Sequence, residues 1–172
     1  MPALLETYAA FPFVLDHGKG DRVYDEDGVE YFDWYGGHCV TSTGHSHPVV
    51  VRAIAEQAGK LLFYSAAARL RVRDLAAEVL IDYLRGSGLA HVFFCNSGSE
   101  AVDTAMKIAM AYHRARGQAS RTMFVSRERA YHGVGFGGVA LSGLVNNRRT
   151  FGPGLPNTIH MRHTHLKDAR FV

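Results

Sequence analysis

Residues 91–117 read HVFFCNSGSEAVDTAMKIAMAYHRARG, and this junction restricts the fold more than any other stretch. An apolar run of strand type, His91 to Cys95, stops abruptly in small polar residues, Asn96-Ser97-Gly98-Ser99. A long amphipathic pattern begins at once and runs to about Arg116, with Gly117 placed as its stop. Residues 121–126, RTMFVS, read as a second buried strand. Helix, strand, helix, strand in this order calls for a parallel βαβ unit, so the fold class is α/β.

The rest of the chain is read around that unit. Residues 1–19 form an irregular or partly helical arm. Residues 21–33, DRVYDEDGVEYFD, have the pattern of a β-hairpin turning at Asp27-Gly28. The glycine- and histidine-rich residues 34–47 are loop. Pro48 suits the first turn of a helix reaching Leu62. A further helix fits residues 70–85, ended by Gly86 and Gly88. From Arg127 onward the glycine content defeats assignment. Two parts follow: arm, hairpin and loop over 1–47, and a partial, mostly parallel sheet flanked by helices over 48–172.

Composition excludes several partners. The net charge is +3, with Lys and Arg scattered rather than striped, so no nucleic-acid face is expected. No run of about 18 apolar residues occurs, so no membrane partner is expected. The start, MPALLETYAAFPF, lacks the basic and apolar regions of a signal peptide. Two cysteines, Cys39 and Cys95, suit a reduced, cytoplasmic protein.

The junction admits two readings. In one, Ser97 caps the helix, Glu100 closes the capping box, and nothing binds. In the other, the same geometry cradles a phosphate. A helix N-terminus offers free N–H groups and about half a positive charge. Gly98 permits close approach, and Ser97 and Ser99 add hydroxyls. A second element, RERAYHGVGFGG, puts Tyr131 and His132 just past the next strand. An aromatic ring there is placed to stack on a flat ring joined to that phosphate. The bland alternative is a partly buried tyrosine.

The pair NSGSEAVDTAMKIA and RERAYHGVGFGG resembles the class III aminotransferases, fold-type I enzymes that use pyridoxal 5'-phosphate (PLP). YDEDGVEYFDWYGGHCVTSTGHSHPVVVRAIAEQA resembles the N-terminal segment of the same family, and the three stretches come in the family's order. The resemblance implies that Gly98 and Ser99 hold the cofactor phosphate with Ser97 alongside. It implies that Tyr131 stacks on the pyridine, and that His132 and Gly133 shape the loop around it. It places Trp34 to Cys39, with Trp34 and His38 foremost, in part of the substrate pocket. It further implies a homodimer in the intact enzyme, an amino donor, and a 2-oxo acid acceptor. Residues 1–85 look closest to the acetylornithine branch, and 91–165 to the ω-amino acid:pyruvate branch.

PLP chemistry needs a lysine that bonds to the cofactor aldehyde and then moves protons. Lys19, Lys60, Lys107 and Lys167 do not sit in the family's lysine context. Lys107, at i+4 from Asp103, suits an ion pair. No catalytic residue is therefore assigned, and the chain is expected to be an incomplete part of the fold, with an exposed apolar patch and no activity alone. The alternatives are a non-catalytic remnant and a phosphate-ligand module of Rossmann type. For the latter, Gly133 to Gly138 match GxGxxG weakly, with no helical pattern opening on them. His38, Cys39, His45 and His47, and separately His160, His163 and His165, lack standard zinc spacing, so no metal is assigned. Ser142, in ALSGL, lacks the first glycine of a nucleophile elbow.

Overall fold

The computed structural model describes residues 4, 9–144, 146, 149, 150, 152 and 154–165. The chain divides into two compact units, residues 1–71 and 72–172.

In the first unit, β1 (Leu15–Lys19), β2 (Arg22–Asp25) and β3 (Glu30–Phe32) form an antiparallel sheet in sequence order. The hairpin is therefore β2–β3. The end of the expected arm adds a third strand, pairing Lys19 with Arg22 and His17 with Tyr24. That strand escaped the pattern because LDHGK alternates no apolar face. Asp25 shapes the turn: its carboxylate accepts from Asp27 N at 3.1 Å, Val29 N at 2.8 Å and Tyr31 Oη at 2.8 Å. Gly28 has φ +78°, which an L side chain rarely adopts. A one-turn segment, α1 (Gly36–Cys39), interrupts the expected loop. Helix α2 (Pro48–Lys60) carries its proline in the first turn.

Helix α3 (Arg71–Tyr83) starts at the last residue of the first unit, and the rest of it opens the second. The run His91 to Cys95, expected as a strand, is not one. It has strand composition, but a ladder is a property of two segments. Among the described residues none pairs with it, and Phe93 and Phe94 are exposed. Helix α4 (Gly98–Ala115) follows where expected, and Gly117 ends it with φ +74°. The parallel pair lies one step further along the chain. Strand β4 (Phe124–Arg127) pairs in parallel with β5 (Thr158–Met161), Val125 opposite Ile159. A short helix, α5 (Phe136–Leu141), lies between them in the sequence.

The buried apolar residues among those described are Val139 and Ala140, both on α5. The faces of α2, α3 and α4 leave Ile54, Val79 and Ile108 exposed, the apolar exposure that a partial sheet calls for.

Candidate functional site

The site is built where α4 opens. Ser97 is its N-cap, with extended backbone, and its Oγ accepts from Glu100 N at 3.2 Å. Glu100 Oε2 reaches back to accept from Asn96 N at 2.7 Å. Ser97 thus caps the helix as expected, but Glu100 bonds the amide one residue before the cap rather than that of Ser97, so the box is closed one position early; the arrangement occupies Ser97 Oγ and the Glu100 amide. It leaves the amides of Gly98 and Ser99 without an acceptor among the described hydrogen bonds. Gly98 itself is exposed, and a Cβ added to it would meet nothing within 4 Å. The cap therefore orders the turn and leaves the Gly98 and Ser99 amides without an acceptor among the described hydrogen bonds.

Ser99 ties this turn to the next element. Its Oγ accepts from Val134 N at 2.9 Å. Gly133 lies against it so closely that a Cβ there would stand 2.7 Å from Ser99 Oγ and 2.9 Å from Ser99 Cα. Gly133 also has φ +112°. Both facts call for glycine at this position. Tyr131, two residues earlier, is exposed, with no ring partner among the described aromatics. Ser99 is thereby joined to Gly133 and Val134, the residues that follow Tyr131 and His132 in the chain.

Two residues that sequence reasoning set aside complete the loop. Ser142 is fully buried. Its Oγ accepts from His132 N at 2.9 Å and donates to Gly138 O at 2.7 Å, which closes residues 132–142 on themselves. Asp103 was expected to pair with Lys107. Instead its Oδ1 accepts from Gly138 N at 3.2 Å, and its carboxylate lies against Gly135 and Gly137. The glycines of GVGFGG thus meet protein atoms: Gly133 on Ser99, Gly135 and Gly137 on Asp103, Gly138 on the His132 carbonyl. A helix does open within this stretch, at Phe136, contrary to the expectation of none. It lacks apolar periodicity because it is six residues long and largely Gly and Ala. The i,i+4 spacing of Ser99 and Asp103, both facing one glycine-rich loop, was the available signal.

Trp34 and His38 belong to the first unit. Trp34 is 93% exposed, with its ring tilted against Phe32 at 6.4 Å. The turn beyond it is left-handed: φ is +57° at Gly36, +53° at Gly37, +71° at His38 and +64° at Cys39. Non-glycine residues rarely hold such angles, and where they do the surroundings impose them. Here Asp33 does so. Its carboxylate accepts from Tyr35 N at 3.2 Å, Gly37 N at 2.9 Å and His45 Nε2 at 2.6 Å. The His45 bond, ahead of partial burial, which opposes it, and of the Gly37 amide, holds the Asp33 carboxyl below its ordinary value. Tyr35 Oη hydrogen-bonds His38 Nδ1. Among the described residues no group of three or more His, Cys, Asp or Glu side chains is arranged to hold a metal. Among the described residues no helix is long and apolar enough to cross a membrane. Lys167 lies outside the described residues.

The sequence matches the class-III aminotransferase family over residues 5–170, and the chain belongs to that family. It is 38% identical over 154 residues to an omega-aminotransferase of Caulobacter vibrioides, covering 90% of this chain and 35% of that protein. It is 37% identical over 151 residues to an acetylornithine aminotransferase of Mesorhizobium japonicum, covering 88% and 37% respectively. Among solved structures it resembles an omega transaminase from Pseudomonas jessenii in complex with PMP. The TM-score there is 0.85 at 33% identity, over 90% of this chain and 34% of the other. A thermostable four-fold mutant of an omega transaminase from the same organism matches with TM-score 0.88 at 32% identity, over 94% and 38%. The chain thus spans little more than a third of the length of these relatives.

Proposed function

We propose that this chain is the N-terminal part of a PLP-dependent aminotransferase and supplies the cofactor's phosphate cradle and ring cover. The intact enzyme moves an amino group from an amino acid or ω-amino donor to a 2-oxo acid. One observation carries the reading: the Gly98 and Ser99 amides have no acceptor among the described hydrogen bonds, while Ser99 Oγ holds the loop that follows Tyr131.

The residues fit the group. A phosphate ester is dianionic near neutral pH and gains from N–H donors at a helix N-terminus. Ser99 Oγ already accepts from Val134, so its own proton is free to donate to the phosphate. Ser97 stands alongside as the cap that orders the turn. Tyr131 offers an exposed ring to cover a flat heterocycle. His132 is held through its backbone by Ser142, which sets the direction of the loop. Bound there, the cofactor supplies an electron sink for charge developing at the amino-bearing carbon.

Residues 1–47 contribute the left-handed turn with Trp34 and His38, which we assign to part of the substrate pocket. Residues 48–172 contribute the cofactor-binding part. No residue of this sequence is assigned a catalytic role. The relatives carry both acetylornithine and omega-aminotransferase names, in keeping with a donor whose amino group sits at the end of a chain. The reading includes a cytoplasmic homodimer for the intact enzyme, in which the exposed apolar faces of α2 to α4 are covered.

The test is a titration of the 172-residue protein with PLP, followed by absorbance, with inorganic phosphate as competitor. Saturable uptake that phosphate displaces, and that Ser99→Ala weakens, supports the cradle. Uptake indifferent to phosphate and to Ser99→Ala overturns it.

A further inference from the structure

Helix α5 is a poor helix by composition. Its six residues, FGGVAL, include two glycines, each costing about 1 kcal/mol relative to alanine in a helix interior. Its N-cap is Gly135, which has no side chain to accept from the first-turn amides. Yet this helix is the most buried element described, with Gly137, Gly138, Val139 and Ala140 all buried. The missing acceptor comes from another helix. Asp103 of α4 places Oδ1 3.2 Å from Gly138 N, the amide three residues past the cap, where an N-cap side chain normally bonds. Its charge also lies at the positive end of α5. The fit excludes larger side chains: a Cβ on Gly137 would stand 2.4 Å from Asp103 Oδ1, and one on Gly135 would stand 2.7 Å from Oδ2.

We infer that Asp103 caps α5 in trans and is thereby the positioning residue for the Tyr131 loop. Ser99 and Asp103 are successive residues on one face of α4. Ser99 fixes the loop at Val134, and Asp103 fixes it at Gly138. Two rigid attachments to the helix that opens the phosphate cradle set the height and angle of the segment carrying Tyr131. The phosphate site and the ring cover then move as one body. This inference rests on the cofactor reading for its ligand, and on the hydrogen bonds alone for its mechanics.

The experiment compares wild type, Asp103→Ala, Asp103→Asn and Lys107→Ala in the 172-residue protein. Amide hydrogen exchange over residues 131–138 is measured without ligand. Asp103→Ala is expected to speed exchange there about five- to tenfold, the factor a typical lost cap corresponds to. Asp103→Asn keeps an oxygen acceptor and is expected to stay within about twofold of wild type. Lys107→Ala is expected to change nothing. A second arm measures PLP uptake and its displacement by inorganic phosphate. Asp103→Ala is expected to weaken PLP about five- to tenfold while leaving the phosphate affinity as it was.

Unchanged exchange in Asp103→Ala overturns the inference, as does an equal acceleration in Lys107→Ala. A parallel loss of PLP and phosphate affinity, with no rescue by Asp103→Asn, also overturns it and marks a merely structural residue. If wild type takes up no PLP at all, the cofactor reading fails, and the exchange arm still decides whether Asp103 holds the loop.

Discussion

Ser99 Oγ accepts the backbone N–H of Val134 at 2.9 Å, across 35 residues of sequence. That bond joins the turn opening α4 to the loop that carries Tyr131. It also leaves the Ser99 proton as the hydroxyl's remaining hydrogen-bonding capacity toward an anion. Ser99→Ala removes both contacts at once. We expect PLP affinity to fall by about ten- to a hundredfold, the range for losing a charge-assisted hydrogen bond together with a loop attachment. Equilibrium titration by absorbance checks this, and a loss under threefold would remove Ser99 from the cradle.

Gly133→Ala tests the close approach. The new methyl would sit 2.7 Å from Ser99 Oγ on a backbone at φ +112°. Overpacking and backbone strain together predict a cost of roughly 1–3 kcal/mol. Denaturant unfolding, read alongside exchange over residues 131–138, measures it.

Ser142→Ala tests the closure of the loop. This fully buried hydroxyl accepts from His132 N and donates to Gly138 O. Its loss leaves the part-buried His132 amide unpaired, at roughly 1–3 kcal/mol. The expected signature is faster exchange at His132 with the α4 amides unchanged. Uniform acceleration through α4 would show instead that Ser142 supports the whole unit.

Acid should release the Trp34 segment. The Asp33 carboxyl is held below its ordinary value, chiefly by the His45 Nε2 bond. A depressed carboxyl stabilises the folded state fully above its unfolded value of about 3.9, and that contribution is lost as pH falls through the lower folded value. Trp34 is the only tryptophan, so its fluorescence reports the change directly. Asp25 and Glu30 are also depressed, each chiefly by a tyrosine hydroxyl, Tyr31 and Tyr24 respectively. Asp33→Asn should therefore remove part of the acid transition and not all of it. An identical transition in Asp33→Asn would detach Trp34 from this carboxylate.

Borohydride treatment with PLP should give no single modified lysine in the 172-residue chain. Lys19, Lys60 and Lys107 are exposed side chains and react, if at all, without preference. Peptide mapping reads the outcome. One dominant site resistant to phosphate washing would place a cofactor-bonding lysine in this sequence after all.

Much of both units was legible because the signals are local. The Ser97 cap, the stop at Gly117, the proline opening α2 and the turn at Asp27-Gly28 act within a few residues, and each is found where the pattern put it. Strand pairing was less legible. Residues 91–95 have the right composition and no partner among the described residues, while LDHGK has an unpromising pattern and a partner in β2. Pairing depends on what lies alongside, which composition does not state.

Sequence alone determined that this chain opens a helix with a Ser-Gly-Ser turn after an apolar run, and follows it with an aromatic loop rich in glycine. Those choices depend on backbone sterics and capping chemistry, which operate over one helical turn. Only tertiary structure decided that the two motifs touch, that Asp103 faces Gly138 rather than Lys107, and that Ser142 is a buried tie. Each of those contacts joins groups on separate elements, and a hydrogen bond between them exists only once packing has brought donor and acceptor within reach.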